Sequence, residues 1–200
     1  MIQYKIGDIQ DVIKTIDDNS IDLIYTDPPF NITKASWENP LDWKLLFPEM
    51  WRVMKPKGII ILYSSIPFTY ELLKYEKPKY YYKKNGTYNP QMIGDKFVNK
   101  RKVKYGGQHG YWGEDGIKKD NEYIDEEGHR GKYPKNVLEY PIRKDKTGIT
   151  RTDEHIDYFI KTYSNEKDTI LDMTCHNEFV GNRAELLKRN YIGIDINEIN

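Results

Sequence analysis

The segment TILDMTCHNEFVGNRAELLKRNYIGIDI, at 169–196, constrains the fold more than any other part of the chain. It reads as an apolar strand that ends in Asp172, an amphipathic helix, and a second apolar strand that ends in Asp195. This layout is typical of a site for a nucleotide-type ligand, in which the turn after the first strand is rich in glycine so that the backbone can approach the ligand. Here the turn is MTCHNEFVG, and its only glycine, Gly181, comes last.

Strands and helices alternate through the rest of the chain as well. Apolar runs and helical periodicity predict, in order, strand IQYKI, helix DIQDVIKTI, strand IDLIYT, helix LDWKLLFPEMWRVM, strand GIIILYS, helix PFTYELLKY and helix DEHIDYFIKTY. Pro48 is expected to kink or divide the second helix, and KPKG is expected to form the turn before the strand GIIILYS. An alternating pattern of this kind predicts a three-layer α/β fold with a mainly parallel sheet.

Length and composition predict one globular domain over 1–200, because 200 residues that are 38% hydrophobic can bury a core. A loop-rich insertion is expected at 77–135, where the periodicity fades and Gly, Asn, Tyr and Lys dominate. The strongest apolar run, at 58–63, is too short to span a bilayer, and the N-terminus lacks the pattern of a signal peptide. A lone cysteine excludes an internal disulfide. We therefore expect a cytoplasmic protein without membrane contact.

The tetrapeptide after the strand IDLIYT is the strongest candidate for chemistry. Asp27, Pro28, Pro29 and Phe30 follow this strand at its carboxyl end, where ligands bind in open parallel sheets. The two prolines remove two amide donors, so the turn offers a carboxylate, carbonyl acceptors and an aromatic ring. Aspartate and proline also form plain strand-ending turns, and this simpler interpretation applies equally to the tetrapeptide alone.

An exocyclic adenine amine would suit such a turn. This amine is a poor nucleophile because its lone pair is conjugated with the ring. Accepting one N–H at Asp27 and the other at the Pro28 carbonyl would favour the pyramidal nitrogen that attacks, and these bonds would strengthen as charge develops. Phe30 would stack on a base flipped out of the duplex.

Several segments resemble amino-directed DNA methyltransferases: GDIQDVIKTIDDNSIDLIYTDPPFNITKASWE, FPEMWRVMKPKGIIILYSSIPFT, YYKKNGTYNPQM, YFIKTYSNEKDTILD and LKRNYIGIDIN. The order, with the catalytic motif before the cofactor strand, is similar to that of the permuted β class of adenine-N6 enzymes. The resemblance implies a Rossmann-like S-adenosylmethionine-dependent methyltransferase fold with a permuted motif order. It also implies S-adenosylmethionine as cofactor, DNA as partner, and methyl transfer to adenine N6.

The resemblance assigns a role to each matching residue. The turn at 27–30 would be catalytic. Asp8, which follows the first strand, would lie near the adenine of the cofactor, and Asp195 would bind the ribose hydroxyls. Asp172 would open the cofactor loop. Arg151, in TGITRT at 147–152, would help to bind the cofactor and would keep the basic role of the lysine in the family's H-P-T-Q-K-P element, whose prolines are absent here.

The cofactor loop departs from the family's usual D-P-F-x-G-S-G pattern, because His176 and Glu178 occupy the two glycine positions. A non-glycine residue in the left-handed conformation costs about 1–2 kcal/mol. Either the loop binds the cofactor through Thr174, Asn177 and helix-terminal amides, or the chain is a methyltransferase-like DNA-binding protein or pseudo-subunit that has lost cofactor binding. Cys175, His176 and Glu178 do not match a zinc spacing, so we expect no metal.

Basic residues and tyrosines interleave between Lys74 and Lys104, a composition that suits phosphate contacts and base stacking. A block of one charge is also compatible with an ordinary solvated face. An RNA or small-molecule amine is an alternative substrate, since fold alone says little about substrate. The family usually has a further strand and hairpin near residue 77, so a shortened sheet edge could need a second copy or a partner subunit. The residues expected to contact DNA are Lys83, Lys84, Lys100, Arg101 and Lys102.

Charge reversal at Lys100, Arg101 and Lys102 is expected to weaken DNA binding and to flatten its salt dependence, because fewer phosphate-bound counterions are released. Fluorescence anisotropy of a labelled duplex over a series of salt concentrations measures both quantities. Reversal at Lys118 and Lys119, in the acidic segment that follows, is the control. An affinity equal to that of the parent at every salt concentration would contradict the expectation.

Overall fold

The computed structural model describes residues 1–30, 40–75, 86–89, 91, 93–97, 122–124, 129–132, 140, 142–145 and 148–198. The chain divides into two compact units, one formed by Met1–Asn89 with Ile142–Asn200 and the other by Pro90–Pro141. The five basic residues expected to contact DNA lie outside the described residues: Lys83, Lys84, Lys100, Arg101 and Lys102.

The first unit contains a five-stranded sheet and helices that alternate with its strands. The strands of the sheet are β1 (Ile2–Ile6), β2 (Ile21–Thr26), β3 (Met54–Leu62), β9 (Thr169–Asp172) and β10 (Asn190–Asp195). The helices are α1 (Ile9–Val12), which continues as a 3-10 helix (Ile13–Thr15), α2 (Trp43–Val53), α3 (Ile66–Tyr75), α4 (Asp153–Tyr163) and α5 (Phe179–Leu186).

The sheet confirms the predicted α/β fold. Its spatial order is β1-β10-β9-β2-β3, and every neighbouring pair is parallel. The chain therefore has a Rossmann-like architecture, in which the strands point the same way and their carboxyl ends meet at one edge. That edge is where ligands bind in open parallel sheets.

Two hydrophobic clusters, one on each face of the sheet, form the core. One cluster joins α1, α2 and α3 to the sheet through residues such as Ile24 and Leu171, and the other joins α4 and α5 through Leu23 and Ile170. Adjacent residues of one strand thus enter opposite clusters, as the alternation of side chains along a strand requires. This arrangement gives the three layers that the sequence predicts.

Gly181 allows α5 to lie close to the sheet. A Cβ at this position would collide with the Tyr4 hydroxyl and would lie 3.0 Å from the Tyr191 ring. In dinucleotide-binding loops the last of the three glycines serves this helix–strand contact. The turn at 173–181 has thus kept the glycine that packs the helix.

Two local features differ from the sequence-based expectations. Of the two effects expected of Pro48, a kink or a division, division does not occur: α2 is one helix of 11 residues whose apolar face, including Leu46 and Met50, is buried. The segment KPKG lies within β3 rather than forming a turn before it. Ile21 pairs with Met54 and Leu23 with Ile59, so the extra residues of β3 form an irregularity in the strand. Because residues on both sides of this irregularity pair with β2, KPKG is part of the strand instead of a separate turn.

The remaining strands form two small antiparallel sheets. The unit Pro90–Pro141 contains β4 (Ile93–Phe97), β5 (Glu122–Ile124) and β6 (His129–Lys132), in the order β4-β6-β5, within the segment expected to be loop-rich. In the first unit β7 (Ile142–Asp145) pairs with β8 (Gly148–Arg151). Among the helices that the structure describes, none has the length and apolarity to cross a bilayer.

Candidate active site

A cavity of about 650 Å³ lies at the carboxyl edge of the five-stranded sheet. This volume is within the range of about 300–1,000 Å³ that is usual for small-molecule sites. Residues that follow β1, β2, β9 and β10 contribute to its wall. Eight of the residues singled out in the sequence line it: Asp8, Asp27, Pro29, Arg151, Asp172, Thr174, Asn177 and Asp195.

Asp195 holds the loop after β9 and leaves acceptor capacity for a ligand. Its Oδ2 accepts a hydrogen bond from the amide of His176 at 3.0 Å, and its Oδ1 accepts one from the amide of Asn197 at 2.7 Å. The amide of Cys175 also donates to the Ile194 carbonyl at 3.0 Å. A carboxylate has about four lone-pair sites, so Asp195 can accept further hydrogen bonds from a diol.

His176 adopts the left-handed conformation that glycine would otherwise supply. Its φ is +51°, whereas Glu178 has φ −74° and ψ −1°, in the right-handed region. Histidine is found in the left-handed region more often than most residues. The conformation still costs free energy, as it does for any residue other than glycine. The bond from its amide to Asp195 stabilises this conformation. The loop has therefore kept the backbone turn at the first glycine position and changed it at the second.

Asn177 and Thr174 fix the two ends of this loop. Oδ1 of Asn177 accepts a hydrogen bond from the amide of Phe179 at 3.0 Å, at the start of α5. Oγ1 of Thr174 lies 2.9 Å from Oγ1 of Thr26, the last residue of β2. Cys175 is buried, and burial raises the pKa of its thiol, so this cysteine is not a nucleophile at neutral pH.

The carboxyl group of Asp172 lines the cavity and is only 4% exposed. Its Oδ1 accepts a hydrogen bond from the amide of Thr174 at 3.2 Å, and its Oδ2 accepts one from the hydroxyl of Tyr191 at 3.3 Å. Burial outweighs these bonds and raises the pKa of Asp172 to about 7. Its charge therefore changes near neutral pH.

Asp8 follows β1 and caps α1. It is exposed, and its Oδ1 accepts a hydrogen bond from the amide of Gln10 at 2.8 Å. Aspartate is a preferred residue at this position of a helix, so capping accounts for its presence without a ligand. Asp8 also lines the cavity. The resemblance to DNA methyltransferases predicts that an acidic residue at this position lies near the adenine of the cofactor.

The four residues of the tetrapeptide after β2 have different environments. Asp27 and Pro29 line the cavity, and the Asp27 side chain is 41% exposed. Pro28 is buried. Phe30 is half-buried and packs on Phe68, with ring centroids 5.2 Å apart. The carboxylate is thus accessible from the cavity, while one face of the phenyl ring belongs to the core.

The carboxylate of Asp27 forms an ion pair that the sequence did not predict. Nη1 of Arg151, at the end of β8, donates to Oδ2 of Asp27. The guanidinium lies over the ring of Tyr63, with Cζ 3.5 Å from the ring centroid. Burial raises the pKa of Tyr63 to about 12, so the ring is neutral under the cation at physiological pH. Arg151 thus contacts the candidate catalytic carboxylate, besides lining the cavity.

Sequence reasoning also missed the polar side chains under this ion pair. The hydroxyl of Tyr63 lies 2.8 Å from that of Tyr25 and 3.1 Å from Nε2 of His155. Tyr63 follows β3 directly, and its amide donates to the carbonyl of Thr26 at 3.1 Å. Because β2 and β3 are adjacent, the residue that follows β3 could have been recognised as a neighbour of the tetrapeptide.

Comparison with known proteins identifies methyltransferases of similar sequence and fold. No family model matches the chain. The type II methyltransferase M.HpaI of Haemophilus parainfluenzae is 29% identical over an alignment of 216 positions, which covers 93% of this chain and 67% of that protein.

Solved structures of methyltransferases share the fold. The complex of M1.HpyAVI with S-adenosylmethionine has a TM-score of 0.57 at 17% identity, covering 99% of this chain and 95% of that one. The cytosine-N4-specific PvuII DNA methyltransferase has a TM-score of 0.54 at 16% identity, covering 98% of this chain and 82% of that one. This chain therefore has the Rossmann-like fold of S-adenosylmethionine-dependent methyltransferases.

Asp172→Asn tests the burial of the carboxyl group. Because the pKa in the folded state, about 7, is above that of an exposed aspartate, the folded protein keeps this proton to higher pH than the unfolded chain does. The stabilisation is complete below about pH 4 and is lost as the pH rises through about 7. The parent should therefore lose stability relative to the variant over this window, by up to about 1.4 kcal/mol per pH unit.

Urea denaturation at intervals from about pH 4 to pH 8 measures this difference in unfolding free energy. Asp11→Asn, at a side chain that is 82% exposed, is the control and should show little pH dependence relative to the parent. A difference between parent and Asp172→Asn that stays constant over the whole range would show that the carboxyl group is not buried as described.

Proposed function

We propose that this chain is a DNA methyltransferase that transfers a methyl group from S-adenosylmethionine to the N6 amino group of adenine. The observation that carries the proposal is the cavity in which Asp195 and the loop after β9 lie beside Asp27. The residues proposed to bind the cofactor and those proposed to bind the amine thus line the same cavity. The similarity to M.HpaI and to the methyltransferase structures supports the same reaction class.

The residues of the cavity fit S-adenosylmethionine. Asp195, at the end of β10, has acceptor capacity for the two ribose hydroxyls, and Asp8 lies in the wall next to it. Thr174 and Asn177 offer polar groups along the loop. When bound, S-adenosylmethionine supplies an electrophilic methyl group on a positively charged sulfur. In its ionised form, Asp172 would favour a cationic ligand in the cavity.

His176 does not prevent a cofactor from entering. The residue is exposed, and the cavity that it lines has about 650 Å³ of space. These observations support the hypothesis that the loop binds the cofactor without the usual glycines, over the hypothesis that cofactor binding has been lost.

Asp27 and the Pro28 carbonyl would activate the amine. A target amino group donates one N–H to the exposed carboxylate of Asp27 and the other to the carbonyl oxygen of Pro28. Both contacts pull electron density towards nitrogen and strengthen as the nitrogen becomes positively charged, so they stabilise the transition state more than the ground state. Because Asp27 would already accept one N–H of the amine, its carboxylate can also take the proton that the methylated amine must lose.

Cytosine N4 is the second candidate for the methylated atom. It is also an exocyclic amine conjugated with its ring, and the same two acceptors can activate it. The structural similarity to the cytosine-N4-specific PvuII enzyme supports this second candidate. The tetrapeptide and the permuted order of motifs support adenine N6 as the first choice.

Methyl transfer from labelled S-adenosylmethionine to genomic DNA, with mass spectrometry of the digested nucleosides, tests the proposal. We expect N6-methyladenine with the parent and a rate lower by about 10²–10³-fold with Asp27→Ala, because a preorganised acceptor in the transition state is lost. Asp17→Ala, an exposed aspartate before β2, is the control and should leave the rate unchanged.

The products decide between the alternatives. Detection of N4-methylcytosine without N6-methyladenine would show that cytosine N4, the second candidate, is the methylated atom. Label that enters single-stranded RNA but not DNA would overturn the choice of DNA as substrate. A parent protein that transfers no label to any of these substrates would contradict the proposed function.

A further inference from the structure

We propose that Arg151 is a positioning residue for Asp27: it holds one carboxylate oxygen so that the other faces the target amine. This inference rests on the proposed function, in which Asp27 accepts a hydrogen bond from that amine. It adds a residue that contacts neither the base nor the methyl group and acts only through the carboxylate.

The ion pair uses only one oxygen of the carboxylate. Nη1 of Arg151 donates to Oδ2 of Asp27, and within the described residues the Asp27 side chain has no other hydrogen bond. Oδ1 therefore has no partner among the described residues, and the side chain is 41% exposed at the cavity. An aspartate without a partner would rotate about its terminal torsion, which has only a broad preference. The ion pair restricts this rotation.

Besides the ion pair, two contacts fix Arg151 itself. Its backbone pairs with Ile142 across the β7–β8 hairpin. Its guanidinium stacks on Tyr63 at 3.5 Å, and a cation over an aromatic face is worth about 0.5–2 kcal/mol. Tyr63 in turn is held between Tyr25 and His155 by its hydroxyl group. The guanidinium thus lies on a rigid base rather than on a mobile side chain.

The geometry favours positioning over a latch that blocks the carboxylate. A latch would have to leave before the amine binds, and Arg151 would then lose both the ion pair and the aromatic face. With one oxygen already accessible, the amine can bind while the pair stays intact. Arginine suits this role better than lysine because its flat guanidinium stacks and donates at the same time.

Arg151→Ala and Arg151→Lys test the proposal through separate kinetic constants. We expect Arg151→Ala to lower kcat by about 100-fold, the cost of a reacting group misplaced by about 1 Å, with little change in the KM for DNA or the Kd for S-adenosylmethionine. Arg151→Lys keeps the charge but not the flat stack, so its kcat should be intermediate. Added guanidinium ion should partly restore Arg151→Ala and should not restore Asp27→Ala.

Arg52→Ala is the matched control. The side chains of Arg52 and Arg151 are 27% and 28% exposed. Arg52 forms ion pairs with Asp18, before β2, and with Glu49, in α2, and none of these three residues lines the cavity. Its loss should lower thermal stability and leave kcat unchanged when measured well below the melting temperature. Both alanine variants lack the ion pairs of the arginine that they replace. A difference in kcat between Arg52→Ala and Arg151→Ala therefore reports on the position of Arg151 in the structure.

Other outcomes would overturn the proposal. A higher kcat for Arg151→Ala would show a latch, and a raised Kd for S-adenosylmethionine with an unchanged kcat would show a cofactor contact. Failure of guanidinium ion to restore any activity, with kcat for Arg151→Lys equal to that for Arg151→Ala, would also contradict it.

A readout without cofactor separates this proposal from the proposed function. Burial lowers the pKa of His155, and the charge of Arg151 lowers it further, whereas the charge of Asp27 raises it. In NMR titration the pKa of His155 should therefore rise in Arg151→Ala and fall in Asp27→Asn. If the parent transfers no methyl group but both shifts occur, both charges lie near His155 as described and the proposed function is wrong. If neither variant shifts the pKa of His155, the two charges do not lie there and the positioning role is wrong.

Discussion

The parallel pairing of β10 with both β1 and β9 is the constraint on which the site depends. It brings Asp195 beside the loop that follows Asp172 on one side and beside the turn that holds Asp8 on the other. Pairing of β9 with β2 then adds the turn that begins at Asp27. Because all of these strands point the same way, carboxylates that are far apart in sequence share one cavity.

The glycine-poor loop shows how a backbone shape can survive a change of sequence. Glycines in such loops allow a left-handed turn, close approach of a ligand, and helix packing. Here His176 makes the left-handed turn and is held by Asp195, while Gly181 keeps the packing of α5 on the sheet. The left-handed turn and the packing of the helix are therefore both present in this loop, although His176 and Glu178 stand where glycines are usual. The side chain of His176 is exposed and leaves the cavity open.

The sequence predicted the features that depend on local periodicity and chain order. Helix α4 begins and ends at the predicted residues, and the tetrapeptide after β2 lies at the cavity as strand order requires. It did not predict the ion pair between Asp27 and Arg151, which are 124 residues apart, or the stack of Arg151 on Tyr63. Contacts of this kind depend on how the hairpin of β7 and β8 meets the sheet, and hydrophobic periodicity reports only which face of an element is buried. The irregularity in β3 was missed for the same reason, since pairing with β2 overrides the preference of KPKG for a turn.

Binding of S-adenosylmethionine tests most directly whether the strand-end carboxylates form one ligand site. Isothermal titration of the parent should show saturable binding to one site, and Asp195→Ala should abolish or strongly weaken it, because the ribose acceptor and the anchor of the loop are lost together. Asp17→Ala should bind as the parent does. Absence of binding to the folded parent at millimolar ligand would contradict the account, and so would equal affinity for the parent and Asp195→Ala.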